Sequence, residues 1–161
     1  MLGLDCFPAP GHASHHVCYA GPDGTLYAGD AAGVRILPGR HIIPASPPPD
    51  IDVEAWYRTL DEIERHAPER LALIHFGAVE DVADHLARTR AQIALWIERV
   101  GSGMAEEEFV ELCRAELHAD DGPNASEAGE KASSFSQSYA GLRRYWDKRT
   151  EAEAAAAAPS G

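Results

Sequence analysis

The chain has 161 residues, 45% of them apolar and 25% charged, which is enough for one hydrophobic core and too ordinary a composition for disorder over most of its length. Asp and Glu outnumber Lys and Arg 26 to 14, giving a formal net charge of −12, so there is no basic stripe to displace counterions from phosphates and nucleic acid is excluded as a partner. Residues 1–7 lack the positive segment of a signal peptide, no apolar run reaches the length of a membrane span, and Cys6, Cys18 and Cys113 form no Cys-x-x-Cys pair, so a cytoplasmic protein with reduced thiols and no membrane partner is expected.

The run through His15 to Ala20, the turn Gly21-Pro22-Asp23-Gly24 and the run Thr25 to Ala28 have the pattern of a β-hairpin with a four-residue connection. Glycines flank Asp30 in Gly29-Asp30-Ala31-Ala32-Gly33 and let the backbone bend sharply, so Asp30 is expected at a strand end facing a cleft. Residues 34–49 carry Pro38, Pro44, Pro47, Pro48 and Pro49, a density that no helix or strand survives. They are expected to form a long surface loop, either a solvated connection or a substrate-lining loop offering Arg35, Arg40 and His41.

Asp50 or Asp52 is placed to cap a helix over 53–66, with Val53, Trp56, Leu60 and Ile63 on one face, and Pro68 ends it. Leu71 to Ile74 has the character of a short buried strand that delivers His75 at its C-terminal end. A longer helix follows, burying Val79, Val82, Leu86, Ile93, Ile97 and Val100; His66 and His85 are expected at helix surfaces or boundaries. A boundary falls at Gly101-Ser102-Gly103. Beyond it the sequence predicts a helix opened by Glu106, Glu107 and Glu108, a linker over 120–134, an amphipathic helix with Phe135, Tyr139, Leu142 and Trp146, and a disordered Ala-rich tail over 151–161. The expected organisation is therefore residues 1–100, a helical extension over 101–150, and the tail.

Three metal-competent groups stand at comparable places in this β framework: His12 before a strand, and Asp30 and His75 each after one. Two neutral imidazoles and a carboxylate suit zinc, and a carboxylate has two oxygens with which to bridge two ions. Taken singly, a strand-end His is more often a hydrogen-bonded structural residue and a Gly-Asp pair more often a turn.

The ordered segments Pro10-Gly11-His12-Ala13-Ser14-His15-His16, Tyr27-Ala28-Gly29-Asp30-Ala31-Ala32-Gly33 and Leu73-Ile74-His75-Phe76-Gly77 resemble the third, fourth and fifth metal-binding motifs of the metallo-β-lactamase-fold hydrolases, in family order. The resemblance spans residues 5–100. It implies an α/β fold of the α+β type: a partial αβ/βα sandwich, its C-terminal half, carrying a helical extension. It further implies a zinc-dependent hydrolase of ester, thioester, lactone or amide-type bonds in small molecules, with one or two zinc ions. His12 would complete the tris-histidine site, Asp30 would bridge both metals and so act in catalysis, and His75 would belong to the second site. His15 and His16 would be substrate-facing or would support the ligands, of which at most one turns toward His12, since adjacent strand residues face opposite ways.

The sequence departs from the family in one large respect. It has no His-x-His-x-Asp-His string; its only Asp-His pair, Asp84-His85, falls inside a predicted helix. A truncated hydrolase that holds metal loosely is expected, with a non-catalytic fragment or interaction module as the alternative. One sheet face should then be exposed, or covered by self-association into a homo-oligomer.

Overall fold

The computed structural model describes residues 3–75 and 77–157; Phe76, Met1, Leu2 and residues 158–161 at the end of the tail lie outside them. β1 (Asp5–Pro8), β2 (Val17–Ala20) and β3 (Thr25–Gly29) form an antiparallel meander. The turn between β2 and β3 is closed by Asp23, whose carboxylate accepts from the Thr25 N–H at 3.1 Å and the Thr25 hydroxyl at 3.0 Å. Those bonds hold the Asp23 carboxyl below the usual carboxylate range.

α1 (Val53–Arg65) lies in the crossover that brings β4 (Arg70–Leu73) parallel to β3, and β5 (Ala78–Val79) completes the order β1-β2-β3-β4-β5. Asp52 is the residue that caps α1, accepting from the Ala55 N–H at 2.8 Å. α2 (Val82–Gly101) starts later than its apolar pattern suggested, because Val79 pairs with Leu71 in β5 rather than joining the helix.

α3 (Glu106–Asp121), α4 (Pro123–Ala132) and α5 (Phe135–Ala157) make up the extension. The expected linker over 120–134 is mostly α4: Gly122, at φ 84°, separates it from α3, and Pro123 sits at its first turn, where no N–H is needed. The tail expected to be disordered continues α5 to Ala157, exposed throughout. Alanine has the highest helix propensity and extends a helix that packing has already nucleated.

A single core joins Leu26 and Leu71 of the sheet, Trp56, Leu60 and Ile63 of α1, Leu86, Ile93 and Trp96 of α2, and Phe109, Leu117, Phe135 and Leu142 of the extension. Trp96 is its joint, meeting Phe109 and Phe135 edge-on with ring centroids 5.1 and 6.0 Å apart. The proline-rich segment is not the surface loop its composition predicts. Val34 and Ile43 pair through two backbone bonds, and Ile42, Ala45 and Ser46 are buried beneath the helices. Proline excludes regular structure but not burial, provided the remaining backbone groups find partners.

Among the described residues, helices cover one face of the sheet. Cys6, Tyr19, Tyr27, Ala72 and Ala78 form one register row across all five strands on the other face, where Tyr19 and Tyr27 are 45% and 47% exposed. Among the described residues no helix is long and apolar enough to cross a membrane.

Candidate metal centre

His12 is set by the loop between β1 and β2, which is drawn onto α1. The Gly11 carbonyl accepts from the Asp52 N–H at 3.0 Å and the Pro10 carbonyl from the Thr59 hydroxyl at 2.7 Å. Gly11, at φ +133°, lies against Trp56 so closely that a Cβ there would overlap the tryptophan backbone. His12 Nδ1 stands 2.6 Å from the Ala45 carbonyl oxygen. A carbonyl only accepts, so Nδ1 carries the proton and Nε2 presents its lone pair to the cleft.

Asp30 is aimed by backbone irregularity. The β3–β4 register shifts between Tyr27 and Gly29, Gly29 takes φ +54°, and residues Asp30–Ala32 form a single 3-10 turn. His75 follows β4. Its Nε2 is 3.2 Å from Asp30 Oδ1, while His12 Nε2 is 3.7 Å from Asp30 Oδ2. Each carboxylate oxygen therefore has an imidazole of its own.

These separations suit ligands sharing an ion, given zinc bonds of about 2.0–2.2 Å to nitrogen and oxygen. The set stops short of closure. Among the described residues no group of three or more His, Cys, Asp or Glu side chains is arranged to hold a metal ion. The donor types suit zinc, and a metal there would draw on one imidazole beside each oxygen of Asp30, a donor set that alone would hold it loosely.

Of the neighbouring histidines, His16 turns toward the cluster and His15 faces solvent. The His16 ring lies edge-on to His12 at 5.8 Å, its Nε2 faces Gly29, and its Nδ1 is buried without a hydrogen-bond partner. Burial and the adjacent His12 hold its pKa below the ordinary histidine value.

Arg35 and His41 do not line this cleft, contrary to the expectation of ligand-facing groups. Arg35 is buried, donating to the Gly39 carbonyl at 2.7 Å and to both oxygens of Asp81 at 2.9 and 3.1 Å. His41 is buried against α3, its N–H bonded to Asp121 at 3.0 Å and its Nδ1 2.7 Å from Asp120. A buried guanidinium needs anionic partners, and these two side chains use theirs to tie the loop to α2 and α3.

The cleft, of about 330 Å³, is bounded on its other side by Lys131, Ser133, Ser134 and Gln137 at the α4–α5 junction. Sequence reasoning missed this wall because the junction has linker composition. It also misplaced His85, which is wholly buried with Nε2 2.8 Å from the Ala32 carbonyl. A signal was there: His85, Thr89, Ile93, Trp96 and Val100 follow the helical stripe.

No family model matches the chain, and no curated protein does. Solved structures do. The chain is similar to an archaeal metallo-β-lactamase superfamily protein from Sulfolobus tokodaii, at 23% identity and a TM-score of 0.55, over 87% of this chain and 45% of that one. It is also similar to a metallo-β-lactamase family protein from Thermus thermophilus, at 20% identity and a TM-score of 0.54, over 91% of this chain and 44% of that one. The chain thus has part of the metallo-β-lactamase fold, and it spans less than half the length of these structures.

Proposed function

We propose that this chain is the C-terminal half of a metal-dependent hydrolase of the metallo-β-lactamase fold, contributing the bridging carboxylate of a zinc centre that a complementary half completes. The observation that carries the reading is Asp30, with one oxygen toward His12 and the other toward His75. Zinc held there supplies a Lewis acid and acidifies water enough for hydrolysis near neutral pH.

The chain's own groups do the rest. Asp30 fixes the spacing of the two half-sites, and the Ala45 carbonyl keeps the Nε2 lone pair of His12 facing inward. Ser134 and Gln137 offer a hydroxyl and an amide across the cleft. A cleft of about 330 Å³ is at the small end of ligand sites, in keeping with a small ester, thioester, lactone or amide substrate. Zinc-loaded chain, mixed with a polypeptide carrying the His-x-His-x-Asp-His half of the fold, is expected to hydrolyse a chromogenic ester or thioester, and Asp30→Asn is expected to abolish the turnover.

The exposed Tyr19 and Tyr27 row favours a second reading, a non-catalytic interaction module that binds through its sheet. A complex that forms through this face yet turns over no ester, thioester, lactone or amide probe would reject the hydrolase in favour of the module.

A further inference from the structure

Trp56, Thr89 and His85 lie on the buried faces of α1 and α2, where covering a sheet requires only apolar atoms. Each instead directs a polar atom at the turn that carries Asp30. Trp56 Nε1 donates to the Ala31 carbonyl at 2.7 Å. The Ala32 carbonyl receives His85 Nε2 at 2.8 Å, and the Thr89 hydroxyl lies between it, at 3.1 Å, and the His85 carbonyl, at 2.9 Å. Because that carbonyl only accepts, His85 bears its proton on Nε2, and its Nδ1 is left buried with no partner. A leucine would fill the same space without an unpaired nitrogen. What the imidazole gains over leucine is the bond to the turn.

Trp56 also reaches the other side of the centre. Its indole lies edge-on to His12 at 6.2 Å between ring centroids, and Gly11 rests on its backbone. One residue of α1 thus touches both sides of the 3.7 Å gap between His12 and Asp30, while α2 fixes the far end of the turn.

We infer that Trp56 and His85 are positioning residues of the metal centre: their N–H groups set the spacing between His12 and the Asp30 carboxylate, and metal affinity depends on them although neither meets the ion. The inference rests on the proposed reading of His12, Asp30 and His75 as ligands. Supporting residues of this kind are worth about ten- to a hundredfold in metal affinity.

The test is a cobalt(II) titration of the full chain against a chromophoric chelator, with the visible spectrum of bound cobalt recorded alongside. Trp56→Phe, which keeps an aromatic ring and removes the N–H, and His85→Leu are each expected to weaken cobalt binding about tenfold or more and to alter the cobalt absorption bands. His85→Gln, whose amide N–H reaches the place of Nε2, is expected to restore both. A merely structural residue would shift the melting temperature and leave the spectrum alone. Folded Trp56→Phe and His85→Leu variants with wild-type affinity and spectrum, beside an Asp30→Asn control that loses cobalt, would overturn the positioning role alone. An Asp30→Asn control that binds like wild type would overturn the metal reading and this inference with it. If either variant fails to fold, the other decides, and wild-type cobalt affinity and spectrum in that one overturn the inference.

Discussion

At Gly11 and Gly29 the backbone adopts φ +133° and +54°, conformations that side chains with a Cβ rarely enter, and the candidate ligands His12 and Asp30 are the next residues along. Gly11→Ala forces a Cβ into the Trp56 backbone; it is expected to cost about 1–3 kcal/mol or more in urea denaturation, the usual penalty of overpacking. His85 gives a pH prediction. Burial, ahead of every other influence, holds its pKa below the ordinary value. As pH falls below about 6.5, where a free imidazole protonates, the unfolded chain takes up a proton that the folded chain resists. The contribution is therefore complete above that pH and is lost as pH falls toward the folded pKa. His85→Gln is expected to lose less stability than wild type between pH 7.5 and 5.5; parallel curves would contradict this. His12, Asp30 and His75 were legible as candidates because proline, glycine and strand ends mark their places locally. Arg35 and His41 were not, since the carboxylates that claim them lie 46 and 79 residues away in sequence.

Among the elements, α1 and α2 could be found from sequence because apolar residues repeat at helical spacing, and the β2–β3 hairpin because its turn is rich in Gly, Pro and Asp. β1 and β5, of 4 and 2 residues, are too short to display a period. α4 was hidden by its Gly, Ser and Asn content; it is held from outside, with its Glu130 paired to Arg114 of α3 and Gly129 packed close to Ile43 and Leu117. The boundary placed at Gly101-Ser102-Gly103 marks a change of composition across which the core continues. Trp96→Ala is accordingly expected to cost about 3–5 kcal/mol, as truncation of a buried aromatic does. The full chain is expected to melt in one cooperative transition, and a separate transition for α3–α5 in calorimetry would contradict a shared core.

For the whole molecule, the proposed reading accounts together for the exposed sheet face and the incomplete set of candidate ligands at His12, Asp30 and His75. The matched structures are more than twice as long as the part this chain spans, and a second sheet laid on Tyr19 and Tyr27 would bury the exposed row while bringing further ligands to Asp30. Replacing both tyrosines with lysine is expected to leave the melting temperature nearly unchanged, because surface substitutions rarely exceed about 0.5 kcal/mol, and to prevent association with a complementary half in sedimentation. At this scale the partial fold and the exposed sheet face were legible from the ordered motifs around His12, Asp30 and His75 and from the absence of a His-x-His-x-Asp-His string; an alternating strand pattern alone tells which residues share a face and not what covers it. The most direct test of the account is zinc retention by equilibrium dialysis against a weak chelator, comparing the wild-type chain with His12→Ala, His75→Ala and Asp30→Asn. Loose but measurable binding is expected in the wild type, falling in either histidine variant and furthest in Asp30→Asn, which serves both half-sites. Equal zinc content in all four proteins would contradict the account.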